Sequence, residues 1–142
     1  MNGFIACCLI CLPLKNLSLS SSYGYRIHPV TGKYAMHNGV DLRARHDTVF
    51  AVLDGVVKNV GYHDLLGIYI SLDHSEFVSV YGHLSNVFVA PGEPVTAGDP
   101  IGITGATGRV TGEHLHFSIT YRGKNIDPLK FLYHYLIINN NE

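Results

Sequence analysis

Two histidines one residue apart, His114 and His116, sit in the run Gly112-Glu113-His114-Leu115-His116-Phe117-Ser118-Ile119. Phe117 to Tyr121 are good strand formers, so the run is predicted as a β-strand. Side chains two apart on a strand share a face. His114 and His116 then point one way, with Leu115 and Phe117 on the other side. Two neighbouring imidazoles can hold a metal together, or one can hold it while the other works beside it. Alone, a His-x-His pair reads more readily as two surface histidines on a half-exposed strand.

Further along the chain stand His37-x-x-x-Asp41 and Tyr81-Gly82-His83-Leu84. Two imidazoles and one carboxylate are the donor set of a catalytic zinc, which leaves a fourth position for water, rather than of a structural one. Zinc lowers the pKa of such a water from 15.7 to about 7. Four histidines and one aspartate supply three ligands and two groups for acid–base or oxyanion work. Spacing alone admits this reading without imposing it, because a histidine-rich chain supplies such spacings by chance.

The elements that must position these groups read as mostly β. A first strand is expected over Leu14 to Ser20, then a loop over Ser21 to Lys33, with Gly24, Pro29 and Gly32 as turn formers. His37 is placed in a loop, because Asn38-Gly39 argues against a helix, and Asp41 at a strand start. Val49–Leu53 and Val56–Val60 are expected to form a hairpin on Asp54-Gly55, and Ile68–Leu72 and Phe77–Tyr81 a second one around residues 73–76. His83 follows that strand. Residues 87–103 read as turns and short strands, and Gly102, Gly105, Gly108 and Gly112 as a flexible approach to His114. Asp127-Pro128 predicts an N-cap and N1 proline opening a short helix through Leu129, Phe131, Leu132 and Leu136. The fold class is all-β, with one small C-terminal helix.

With 142 residues the chain is expected to form one domain. A chain of this length buries roughly two thirds of its surface. Charged residues make up 15% and the net charge is −1, against about 25% charged residues in a typical domain. With no basic run, no nucleic-acid footprint is present. No apolar run is long enough for a full transmembrane helix. Cys7, Cys8 and Cys11 lie within the apolar run 4–14 and match no zinc spacing, so they read as small apolar residues. Residues 1–16 resemble the apolar part of an export signal, although no Lys or Arg precedes it and no A-x-A site follows. They are taken as a degraded signal or a short anchor, with the domain at 17–138 and a frayed tail at 139–142.

Several separate motifs now agree with one family. The runs Ser22-Tyr23-Gly24-Tyr25-Arg26-Ile27-His28-Pro29-Val30-Thr31-Gly32, His37-Asn38-Gly39-Val40-Asp41-Leu42, Tyr81-Gly82-His83-Leu84-Ser85, Thr107-Gly108 and Gly112-Glu113-His114-Leu115-His116-Phe117 occur in that order. The stretch from about Leu17 to Pro128 resembles peptidase family M23, the lysostaphin-type, LytM-domain zinc endopeptidases that cut peptidoglycan cross-bridges. The resemblance implies a compact antiparallel β-sheet assembly with the site in a loop-walled groove. It implies one zinc (Zn2+) per chain, held by His37, Asp41 and His116, with His83 and His114 flanking the bound water as catalytic groups. It also implies a peptidoglycan peptide as substrate, and export to the periplasm, the envelope or the exterior.

Two segments depart from the family pattern. His46-Asp47-Thr48 stands where a Gly-Thr is common, and residues 62–67 replace a usual Gly-Asn turn. Neither touches a ligand, and both bear on the groove walls. His28 is assigned to loop structure or groove lining, His74 to local hydrogen bonding, and His46, His63 and His134 to the surface. Arg26, Lys33, Arg43 and Arg45 read as solvated charge that could meet stem-peptide carboxylates. Two other functions compete with the hydrolase. One is a non-catalytic member that binds peptidoglycan or activates another hydrolase; the five retained residues argue against it. The other is a biotinyl or lipoyl carrier, suggested by Val89-x-x-Gly92-x-x-Val95-x-x-Gly98-x-x-Ile101, which leaves those five unexplained and lacks a suitably placed lysine.

Overall fold

The computed structural model describes residues 10–140, with side chains through Leu136. The chain runs β1 (Leu19–Ser21), β2 (Gly24–Ile27), β3 (Tyr34–His37), β4 (Val40–Arg43), β5 (Thr48–Phe50), β6 (Gly55–His63), β7 (Gly67–Asp73), β8 (Phe77–Val87), β9 (Pro94–Val95), β10 (Pro100–Thr104), β11 (His114–Tyr121), β12 (Lys124–Ile126) and α1 (Pro128–Asn140). The fold is all-β with one C-terminal helix, as the sequence predicts.

One antiparallel sheet carries the site. Its strands lie side by side in the order β1-β4-β11-β8-β7-β6-β9, with β12 on the edge of β11, while β10 bridges β8 and β5. Strand β11 is central because every second residue is apolar: Leu115, Phe117 and Ile119 are fully buried on one face. They meet Leu42 and Val40 of β4 and Tyr81 of β8 across the ladder, with Leu115 opposite Leu42 and Phe117 opposite both Val40 and Tyr81. Burying side chains of this size contributes about 1.5–3 kcal/mol each. A one-residue slip would turn every one of them to the other face, so the core itself sets the register. The same register places His116 opposite Asp41 on one side and Gly82 on the other.

Four expectations about the strands are corrected. The predicted loop over 21–33 contains β2, which pairs with β3 in a separate two-stranded sheet, and His37 ends β3 instead of lying in a loop. The expected hairpin on Asp54-Gly55 does not form: β5 pairs with β10, and β6 with β7 and β9. A two-residue type I′ turn needs positive φ at both central residues, and neither Asp54 nor Gly55 has it. Asp54 Oδ1 instead accepts the Ala97 N–H at 2.8 Å. A Cβ added at Gly55 would lie 2.3 Å from the Asp73 carbonyl oxygen, so glycine serves close backbone approach there. Strand β1 also starts later than expected, at Leu19. The second hairpin, β7–β8, forms as predicted, but β8 runs on through His83 to Val87.

The core reaches back past the expected boundary at residue 17. Ile10 and Leu14 are buried in it, Cys11 N–H donates to Val52 O, and Phe50 N–H donates to Pro13 O. Cys7 and Cys8 lie outside the described residues. At the other end Asp127 Oδ1 accepts the N–H groups of Leu129 at 3.0 Å and Lys130 at 3.4 Å, the predicted cap. The helix continues to Asn140, so the boundary expected after 138 falls inside it. Among the described residues no helix is long and apolar enough to cross a membrane.

Candidate metal centre

The five singled-out residues come together. His37, Asp41 and His116 offer donor atoms that all lie within 4.8 Å of one another. Asp41 Oδ1 is the hub: His116 Nδ1 stands 3.2 Å from it, His37 Nε2 3.4 Å and His114 Nε2 3.5 Å. Strand alternation explains the arrangement. Val40 and Leu42 face the core, so Asp41 faces out with His114 and His116 of the neighbouring strand. His37 reaches the same spot from the end of β3 through Asn38-Gly39. That turn must be tight, because a Cβ at Gly39 would lie 2.7 Å from Phe117 O and 2.8 Å from His116 Cε1. The Nε2 edge of His116 therefore rests on Gly39, and its Nδ1 is the atom turned to the site.

Hydrogen bonds settle which nitrogen of each remaining ring is available. His37 Nδ1 lies 2.9 Å from Ser22 O, His83 Nδ1 2.8 Å from Thr107 O, and His114 Nδ1 3.0 Å from Gly112 O. A carbonyl only accepts, so each Nδ1 carries the proton and each Nε2 keeps its lone pair. For a metal ligand, this second hydrogen bond fixes tautomer and ring orientation. The donor set of His37 Nε2, Asp41 carboxylate and His116 Nδ1 thus fits a zinc ion in chemistry and spacing. The His83 ring lies beside that set, 4.7 Å from the His114 ring centre and 6.0 Å from that of His116.

His83 reaches this position through a backbone feature that the sequence does not display. Its φ is 62°, in the left-handed region that non-glycine residues rarely enter. The facing ladders shift register here, between Ile68 and Ile70 on β7 and between Ile103 and Thr104 on β10. Such irregularities re-aim a side chain beside functional sites.

The charges are strongly coupled. Burial raises the Asp41 pKa, but hydrogen bonds to His116 and His37 and the charges of His37 and His114 outweigh it, holding the carboxyl well below its ordinary range. Burial pushes His83 down to about 4; the Thr107 carbonyl and Asp41 oppose this, and the charges of His114 and His116 reinforce it. Folded His83 thus titrates below its unfolded value of 6.5, and the unfolded chain binds more protons between these pH values. The resulting stability is fully present above pH 6.5 and is lost as the pH falls towards 4. His74, also lowered by burial, adds the same sign. Metal-free protein should therefore show a denaturation midpoint that drops across this window, with a shallower drop in His83→Gln. Equal slopes for the two proteins would refute the assignment.

A groove of about 440 Å³ opens over the cluster. Its walls include His28, Val30 and Met36 on one side, and His63, Leu65, Leu66, Arg109, Val110 and Thr111 on the other. His28 does both things expected of it: it lines the groove, and its Nδ1 accepts the N–H groups of Val30 and Thr31. His63, assigned to the surface, also lines the groove. His74 is a local hydrogen-bonding residue, with Nδ1 2.7 Å from Asp54 O and Nε2 2.7 Å from Ser79 Oγ. Of the four cations read as solvated, Arg26 lines the groove, and Arg43 donates to Ser18 Oγ and Leu19 O. Sequence reasoning missed Arg109, Leu65 and Leu66 as wall residues, and Thr107 and Ser22 as the carbonyls that hold His83 and His37. The signal for Leu65 and Leu66 lay in the departure over 62–67; nothing in the sequence marked Arg109.

The family model described as Peptidase family M23 matches residues 35–128. The chain belongs to this family. It is 40% identical over 107 residues to the peptidoglycan DD-endopeptidase ShyA of Vibrio cholerae, covering 74% of this chain and 25% of that protein. It is 37% identical over 119 residues to the DD-carboxypeptidase/endopeptidase Mpg of Neisseria meningitidis, covering 82% of this chain and 27% of that protein. The crystal structure of a zinc-containing peptidase from Vibrio cholerae superimposes with a TM-score of 0.78 at 34% identity, covering 84% of this chain and 39% of that one. The chain thus spans about a quarter of the length of these curated relatives. The matched stretch includes His37, Asp41, His83, His114 and His116.

Proposed function

We propose that this M23 chain is a zinc-dependent endopeptidase that hydrolyses peptide cross-bridges or stem peptides of bacterial peptidoglycan, outside the cytoplasm. The observation that carries this reading is the His37–Asp41–His116 donor set at the floor of a groove, with two further imidazoles beside it. ShyA and Mpg are named for action on D,D-peptide bonds, and that chemistry is the substrate class proposed here. A non-catalytic peptidoglycan-binding or hydrolase-activating domain is disfavoured, since such a domain has no use for five intact site residues.

His37, Asp41 and His116 would hold the metal. A bound zinc supplies Lewis acidity and a water that ionises near neutral pH. The chain's own residues do the rest. His83 and His114 present Nε2 atoms to the groove, each oriented by a carbonyl on its Nδ1–H. One accepts the proton released by the attacking water; the other, protonated, donates to the charge that develops on the scissile carbonyl oxygen. The groove walls hold the peptide across this pair and limit access of bulk water.

The purified chain should hold about one zinc. Elemental analysis without metal, and with no uptake on titration, would refute the centre. Zinc-loaded protein should release new amino and carboxyl termini from peptidoglycan, with fragment masses reporting the bond cut. Full zinc with no cleavage of any wall type would favour the non-catalytic reading.

A further inference from the structure

Arg109 is tied at its backbone to the facing loop while its side chain is left unused. Gly108 adopts φ 82°, and a Cβ there would lie 2.3 Å from Gly67 N. Gly67 adopts φ 64°, and a Cβ on it would lie 2.3 Å from the Thr107 carbonyl carbon. The two loops interlock at a contact only glycine permits. Arg109 N–H then donates to Leu65 O at 3.1 Å. Its guanidinium is exposed, lines the groove with His83, His114 and His116, and makes no hydrogen bond or ion pair to any described residue.

Among the described residues the groove offers nothing to neutralise it. Asp41 is the one carboxylate among the lining residues. It already serves three imidazoles, and Arg26 Nη2 stands 3.9 Å from its Oδ2. Next along the surface, Asp47 accepts the Arg45 N–H and Glu113 accepts the His46 N–H. In a chain of net charge −1 the free charge of this groove is positive. A guanidinium presents a planar fork of donors that matches a carboxylate in a bidentate pair.

We propose that Arg109 is a specificity-determining residue that selects peptides bearing a free carboxylate close to the scissile bond. This rests on the reading of the groove as a peptide-hydrolysing site. A carboxylate in that place comes from either of two sources: the C-terminus of the segment released, or an acidic side chain beside the cleaved bond. The shared recognition is one anion against one guanidinium.

The test uses two series of synthetic peptides, one with the carboxylate at the C-terminus and one with it on a side chain, each paired with its carboxamide. Zinc-loaded wild type should favour the carboxylate in one series by about ten- to a hundred-fold in kcat/KM, the scale of a hydrogen bond to a charged group. The series that shows the preference identifies the source. In Arg109→Gln the ratio should fall to within about two-fold of one, with zinc content and melting temperature as in wild type, while Arg109→Lys keeps part of it. Lys124→Gln, which removes an equal charge from an exposed strand at the sheet edge, should leave the ratio alone. An unchanged ratio in Arg109→Gln, or an equal drop in Lys124→Gln, overturns the inference. Where peptides bind without being cut, the same ratio is read from Kd by NMR titration; the hydrolase reading then fails and Arg109 is still judged. Wild type that shows no preference in either series also overturns it.

Discussion

His116→Ala should lose its zinc and, with it, hydrolysis down to the background rate. His116 Nδ1 and Asp41 Oδ1 stand 3.2 Å apart at the centre of the donor set, and removing the ring leaves one imidazole and one carboxylate. Two donors do not close a zinc site, which takes at least three protein ligands in catalytic centres. Loss of an outer-shell partner already costs about 10–100-fold in metal affinity, so loss of a ligand should cost more. The measurement is zinc content after dialysis, with melting temperature and turnover on the same sample. A His116→Ala protein that stays folded and retains a full equivalent of zinc would remove His116 from the metal set.

The sequence made the site legible because its key strand obeys period two. In β11 the alternation of Leu115, Phe117 and Ile119 with His114, His116 and Ser118 is unbroken, so the shared face of the histidines could be read directly. That Asp41 joins His116 was implied by the resemblance to family M23; the structure supplies the reason, since Val40 and Leu42 obey the same rule one strand away and Asp41 lies opposite His116. The Asp127-Pro128 cap was legible for another reason: it is a local hydrogen-bonding device, complete within four residues. What stayed hidden depended on contacts distant in sequence. Asp54-Gly55 carries a turn signature, yet Ala97 and Asp73 capture its side chain and backbone and send the strands to different partners. Arg109 owes its place to Gly67 and Gly108 fitting each other, a contact between two loops that no pattern within either loop announces. His83 owes its orientation to a left-handed backbone angle, which favours glycine, so nothing in the residue type hints at it.

That hidden geometry makes His83 the sharpest subject for a second test, together with His114. His83→Ala and His114→Ala should each retain zinc and lose roughly two to four powers of ten in turnover, the scale of a positioned acid–base group. Retention of zinc follows from the donor list: neither residue belongs to the three atoms that converge within 4.8 Å. The large loss follows from orientation, since Thr107 O and Gly112 O aim both Nε2 atoms at the groove where the peptide must lie. A merely structural His83 would behave differently. It is buried at a strained bend of β8, so as packing alone its removal would lower the melting temperature and leave turnover per folded molecule near wild type. His83→Gln separates the two cases further. It keeps side-chain volume and hydrogen bonding, so stability is largely restored, but an amide takes no proton at neutral pH and the rate stays low. The pH profiles of the residual activities then assign the roles: the variant lacking the proton acceptor loses the acid limb, and the one lacking the proton-bearing donor loses the basic limb. An active, fully metallated His83→Ala enzyme would take His83 out of the mechanism and leave His114 as the single acid–base group beside the metal.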